Sequence, residues 1–289
     1  MTSTIALPGS LTEQAVRSFD GCPDTRLRAV VQALVRHLHD FVVEVGLTSD
    51  EWQQGIDVLV ETARICCDGR NEFVLWSDIL GISSLVDMLV HPATGGATES
   101  TVLGPFWAPE APWRGFGESI AERPAGDPAW VHGRVVDTAG APVAGAVLDA
   151  WQNGDDSLYG VQVPDGPPGH LRGRFRTEAD GAYAFLGVRP TPYRIPDDGP
   201  VGRLLRATGR EAWRPGHIHV MVTAEGYRPL VTHVFDAESD HLDSDAVFAV
   251  KPSLLRTFTA HSADDPATPE GVSTEWYDVE HDIVLSRQP

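Results

Sequence analysis

The sequence predicts a mainly β protein with a helical N-terminal domain, residues 1–103, followed by an antiparallel β-sandwich, residues 104–289. Three observations carry this. Apolar residues recur at helical spacing in the first part, glycine and proline become frequent beyond residue 100, and three strand–turn–strand segments follow.

In the first part, Leu27, Val31, Leu34, Leu38 and Val42 form one stripe, widened by Val30, Val35 and Phe41. Thr48 with Glu51 three residues on forms a capping-box pattern, and the helix it starts carries Trp52, Ile56, Leu59 and Val60. Ser10 with Glu13 offers another helix start, and a further helix is expected over Phe73 to Leu89. The boundary falls within 95–105. Beyond it, VHGRVVDTAGAPVAGAVLDAW reads as two strands about a turn at Asp137 to Pro142. GRFRTEADGAYAFLGV turns at Asp180-Gly181, and HIHVMVTAEGYRPLVTHVF turns at Glu225-Gly226. Short strands at such spacing suggest a sandwich.

A net charge of −19 argues against a nucleic-acid partner, because no basic stripe is present to neutralise phosphates. It also argues against anionic membrane surfaces, and no apolar run reaches the roughly 18 residues of a membrane span, so no membrane insertion is expected. The three cysteines, Cys22, Cys66 and Cys67, imply no disulfide framework. With no signal-peptide pattern at MTSTIALPGSLTEQ, a cytoplasmic protein with reduced thiols is expected.

His217 and His219 form an H-x-H pair whose side chains share one face if the segment is a strand. Such a pair recurs by chance, and the other ligands stay open. A distant carboxylate would give an iron(II) facial triad or cupin-like site, and a zinc hydrolase is a further reading. Tyr159, just past a predicted strand, and Tyr193, in the proline-rich RPTPYRIPDDGP, are candidates too, although each alone reads as a packed aromatic.

WQNGDDSLYG, PYRIPDDGPVG, GREAWRPGHIH and LVTHVFDAESDHLDSDAVF, in this order and spacing, resemble the intradiol ring-cleavage dioxygenases. HLHDF, LTSDEWQQGI, NEFVLWSDILGIS and ATESTVLGPF look like the hydroxyquinol 1,2-dioxygenase branch, so the resemblance covers about residues 25–256. It implies that Tyr159, Tyr193, His217 and His219 bind Fe(III). Charge balance agrees, since two phenolates, two neutral imidazoles and one hydroxide leave a neutral ferric centre, which suits a dry site. A phenol ionises at neutral pH only beside a strong Lewis acid.

The same resemblance makes Tyr193 the ligand that leaves when the substrate chelates, and so a general base, while Tyr159 stays. Arg214 would stabilise negative charge on the ring, where the plain alternative is an ion pair with a carboxylate. Pocket walls carried over by motif are Leu75, Asp78, Val102, Leu103, Gly104, Pro105, Phe106, Ile195, Pro196 and Val247. Asp78 would suit the third hydroxyl of benzene-1,2,4-triol, or else be a helix-surface charge. His233 would orient a ligand or water, or else be a core histidine. Gly216 stands where alanine is the more usual residue.

The expected partners are O2 and a small aromatic diol or triol. The resemblance further implies a homodimer through the amphipathic helical region, with a phospholipid held at that interface. A catechol 1,2-dioxygenase is the neighbouring alternative. A transthyretin-like binding module is the distant one, and it leaves the four ligands and Arg214 unexplained.

Overall fold

The computed structural model describes residues 9–67, 70–163, 166–167 and 169–288. They form two compact units, Met1–Glu61 and Thr62–Pro289. The helices are α1 (Gly9–Arg17), α2 (Thr25–Val45), α3 (Ser49–Ile65), α4 (Glu72–Ile79), α5 (Ile82–Val90) and α6 (Pro200–Ala207). The strands are β1 (Pro128–Asp137), β2 (Val147–Gln152), β3 (Arg172–Arg176), β4 (Ala182–Val188), β5 (Tyr193–Arg194) and β6 (Trp213–Arg214). They continue as β7 (His217–Thr223), β8 (Leu230–Asp236), β9 (Leu255–Arg256), β10 (Thr259–His261), β11 (Trp276–Glu280) and β12 (Ile283–Leu285).

Asp24 caps α2, its carboxylate accepting from the Arg26 and Leu27 amides, and Gly46 ends that helix in the left-handed region at φ 61°. The predicted stripe is real but uncovered: Leu27, Leu34, Leu38, Phe41 and Val42 are all exposed. The Thr48–Glu51 box forms in both directions. The Glu51 amide donates to Thr48 Oγ1 at 3.3 Å, and the Thr48 amide donates to Glu51 Oε2 at 2.9 Å. At the other predicted start, α1 begins at Gly9, so Ser10 lies within the helix and does not precede it; its side chain lies outside the described residues.

The helix expected over Phe73 to Leu89 is two helices, α4 and α5, bent by 77°. The apolar period runs through the break, but Gly81 sits at φ 73° and the Phe248 ring packs where a Cβ would point. α4 packs within the second compact unit. Leu75 and Ile79 of α4 are buried in a core cluster with Tyr159, Tyr193 and Val247. No single helix among the described residues is long and apolar enough to cross a membrane.

The second unit builds two five-stranded sheets. One runs β10-β11-β1-β12 with β4 paired to β1, and the other runs β3-β2-β7-β8-β9. They share one core, with Val131 and Val135 of β1 and Phe185 of β4 meeting Leu148, Ala150, Ile218, Val220 and Val222. The sandwich is mixed, where an antiparallel one was expected: β1 pairs parallel with β11 and β12, and β8 pairs parallel with β9. These partners return from far along the chain, and a long connection permits parallel pairing where a tight turn does not. Only the last of the three strand–turn–strand segments is a hairpin. There β7 pairs with β8, whereas β1 to β2 and β3 to β4 each change sheet.

Alternation along β7 aims its two histidines. Ile218, Val220 and Val222 face the shared core, so His217 and His219 project from the opposite face.

Candidate metal centre

His217 and His219 are both 1% exposed, and their Nε2 atoms lie 3.1 Å apart. Tyr159 reaches the same point from the bend after β2, with its Oη 3.1 Å from His219 Nε2 and 3.5 Å from His217 Nε2. Phe106 stacks on the Tyr159 ring at 4.4 Å. Tyr193 arrives on β5, which pairs with β6 so that Tyr193 lies directly opposite Arg214. Arg214 Nη1 donates to the Tyr193 oxygen at 3.1 Å and lies 3.2 Å from His217 Nε2.

The outer ring nitrogen of His217 fixes its tautomer. His217 Nδ1 lies 2.8 Å from the Pro215 carbonyl, which can only accept, so that nitrogen carries the proton. His219 Nδ1 lies 2.8 Å from Nε2 of His233, which stands opposite it in the β7–β8 register. The same tautomer at His219 leaves both Nε2 atoms as acceptors 3.1 Å apart, with the Tyr159 hydroxyl and Arg214 Nη1 beside them. Two neutral imidazole nitrogens and a phenol oxygen converging on one buried point are a donor set that fits a metal ion.

The electrostatics agree. Burial, then the Arg214 charge, holds His217 well below the usual imidazole range, with the Pro215 carbonyl opposing. Burial, His217 and Arg214 do the same for His219. Both are therefore neutral and able to ligate at neutral pH. Burial and then Tyr193 push the Tyr159 phenol well above its ordinary value, Arg214 working the other way, so a phenolate there requires a strong cation. Among the described residues, His217, His219 and His233 are the one cluster of histidine, cysteine and carboxylate groups able to hold a metal. Because His233 contacts the rear nitrogen of His219, it supports the imidazole that a metal would meet.

Arg214 is 3% exposed, and its Nε donates to Asp245 Oδ1 at 3.1 Å. Burial works against its charge, but Tyr193, Asp245 and Tyr159 outweigh that and hold the guanidinium above its ordinary value. Its Nη2 is buried without a hydrogen-bond partner among the described residues, a donor left over for a ligand. Asp245 was not foreseen. It lies 31 residues from Arg214 with no spacing to link them, although the segment containing it carries part of the family resemblance.

A cavity of about 850 Å³ is lined by Asp78, Val102, Leu103, Gly104 and Pro105, together with Ser77 and Ser83, which were not foreseen. Asp78 is 7% exposed and so is no helix-surface charge. Burial raises its carboxyl, opposed by the Ser83 hydroxyl and Arg214 and reinforced by Asp245. Gly104, at φ 74°, passes so close to the His219 ring that a Cβ would lie 3.2 Å from its Cε1. Leu75, Ile195 and Val247 sit in the buried cluster around Tyr159 and Tyr193, with Phe106 packed against it, whereas Pro196 is half-buried beside Ile195. Gly216 has a local reason as well, since a Cβ there would lie 2.4 Å from the Pro190 carbonyl oxygen.

Comparison with known proteins agrees with this architecture. Residues 103–287 match the family described as Dioxygenase, and residues 24–98 match the one described as Catechol dioxygenase N terminus. The chain is 45% identical to a hydroxyquinol 1,2-dioxygenase of Rhizobium sp., over 95% of this chain and 94% of that protein. It is 46% identical to one from Nocardioides simplex, over 96% and 94%. The crystal structure of a hydroxyquinol 1,2-dioxygenase from Pseudomonas putida DLL-E4 superposes with a TM-score of 0.91 at 46% identity, covering 96% of this chain and 98% of that one. The chain belongs to the intradiol ring-cleavage dioxygenase family and is an enzyme of that class.

Proposed function

We propose that the enzyme opens benzene-1,2,4-triol (hydroxyquinol) between its adjacent hydroxyl-bearing carbons, using Fe(III) held by Tyr159, Tyr193, His217 and His219. Both atoms of O2 enter the product, 3-hydroxy-cis,cis-muconate, the enol form of maleylacetate. The observation that carries this reading is the convergence of Tyr159 Oη and two neutral imidazole nitrogens within 3.5 Å, with Tyr193 and the buried Arg214 beside them. Fe(III), when bound, supplies the Lewis acidity that ionises the phenols and draws electron density from the substrate ring.

The chain's own groups do the rest. Tyr193 Oη accepts a proton from a substrate hydroxyl, while Tyr159, wedged against Phe106, keeps its place. Arg214, held by Asp245, keeps a fixed positive charge where negative charge collects on the ring, and its spare Nη2 is free to donate. Leu75, Ile195 and Val247, buried around Tyr159 and Tyr193, keep water from the donor set. Asp78 accepts a hydrogen bond from the third hydroxyl, which agrees with the names of the relatives.

The helical region would serve dimerisation, with residues 104–289 as the iron-binding part. The exposed stripe on α2 gives a second copy an apolar surface to cover, a phospholipid is the further occupant expected at that interface, and the cytoplasm is the compartment proposed. Iron-loaded protein should show a tyrosinate charge-transfer band in the visible and turn over hydroxyquinol faster than catechol. Stoichiometric zinc with no visible band would overturn the metal assignment, and faster catechol cleavage would make this a catechol 1,2-dioxygenase.

A further inference from the structure

Arg210 lies outside the metal site, yet it bridges the end of α4, which carries the cavity residue Asp78, and the segment that carries Asp245. It follows α6, and its amide donates to the Leu205 carbonyl at 2.9 Å. Nη1 donates to the Ile79 carbonyl at 2.6 Å, and Nη2 donates to the Ala246 carbonyl at 3.0 Å. The guanidinium carbon stands 4.8 Å from the centroid of the Phe248 ring. Among the described residues it makes no ion pair, so its charge is committed to these main-chain oxygens.

Both carbonyls adjoin a carboxylate of the site. Ile79 is the last residue of α4, next to Asp78, and its carbonyl lies at the negative end of that helix, where a cation is favoured. Ala246 follows Asp245, which holds Arg214 and accepts from the Ala249 amide at 2.9 Å. Asp78 feels both members of that pair, Arg214 favouring its charged form and Asp245 opposing it. Arg210 ties the two segments together through their main chains. Phe248, in the left-handed region at φ 57°, lies against Gly81 beneath the same guanidinium, and Ser84 Oγ donates to the Val247 carbonyl at 2.9 Å.

We infer that Arg210 is a positioning residue that fixes Asp78 relative to the Arg214–Asp245 pair, and thereby sets discrimination between substrates with and without a third hydroxyl. The inference rests on the reading of Asp78 as the acceptor of that hydroxyl.

The test compares kcat and KM for hydroxyquinol and catechol in iron-loaded wild type, Arg210→Met, Arg210→Lys, Asp78→Ala and the Arg210→Met/Asp78→Ala double variant. Arg210→Met should lower the hydroxyquinol-to-catechol kcat/KM ratio about tenfold, chiefly by raising KM for hydroxyquinol. Arg210→Lys, able to keep one of the two bonds, should fall between, and its result decides the matter if the Met variant does not fold. The double variant should match Asp78→Ala alone in this ratio, with iron content and the visible band as in wild type. Equal losses for both substrates with the ratio kept, or independent effects of the two substitutions on it, would overturn the inference. If wild type prefers catechol, the hydroxyquinol reading falls and takes the inference with it. If Asp78→Ala lowers the ratio and neither Arg210 variant does, the inference alone falls.

Discussion

Nε2 of His233 lies 2.8 Å from Nδ1 of His219, on the side of the ring opposite the nitrogen that faces Tyr159. With the His219 proton on Nδ1, that contact gives it an acceptor and leaves Nε2 to ligate. His233→Leu should therefore weaken iron binding about 10- to 100-fold, and His233→Gln, which keeps an acceptor, should restore much of it. Competition with a chelator measures this. Unchanged affinity in the leucine variant would leave His233 with a packing role only.

The H-x-H pair was legible in the sequence because alternation along a strand puts residues two apart on one face, and β7 obeys it. Tyr193 was not legible from periodicity. It lies on a two-residue strand whose register with Arg214 is set by a partner 21 residues away, so its proline-rich loop made it a candidate and the resemblance gave it a role. Asp245 had no local signal either, since a buried ion pair across 31 residues exists only after folding. Alternation shows which face of β1 is buried but not which strand lies beside it. The parallel partners β11 and β12 were thus invisible, as was the break at Gly81, through which the apolar pattern continues.

Asp245 and Arg214 form an ion pair with both side chains 3% exposed. Asp245→Ala would leave a buried guanidinium charge uncompensated, at a cost of about 3–5 kcal/mol. Urea unfolding of the iron-loaded variant should show a loss of that order. A change below about 1 kcal/mol would mean that Arg214 finds another partner.

His281, between β11 and β12, is fully buried, and neither ring nitrogen has a hydrogen-bond partner among the described residues. Burial, with Arg256 adding to it, depresses its pKa to about 3. The unfolded imidazole titrates near 6.5, so between these values the unfolded chain holds a proton that the folded one does not. Stability at this residue is complete above about 6.5 and falls as pH drops towards about 3, by up to about 1.4 kcal/mol per pH unit. His281→Leu should flatten the fall in Tm between neutral pH and pH ~4.5 relative to wild type. Parallel Tm–pH profiles for the two proteins would refute this.

The two tyrosines should fail differently when each loses its hydroxyl. Tyr159 Oη lies within 3.5 Å of Nε2 of both His217 and His219, and its ring is stacked against Phe106. Tyr193 instead shares its oxygen with Arg214 Nη1, on the substrate side of the donor set in the proposed mechanism. Tyr159→Phe should thus lose most of the iron and most of the visible band, because that donor persists through turnover. Tyr193→Phe should keep near-stoichiometric iron and part of the band. Its kcat should fall about 100-fold or more, since the substrate loses a proton acceptor and not a metal. Iron analysis with stopped-flow turnover separates the two patterns. Should both variants lose iron alike, Tyr193 is a structural ligand equivalent to Tyr159, and the substrate proton goes to another base.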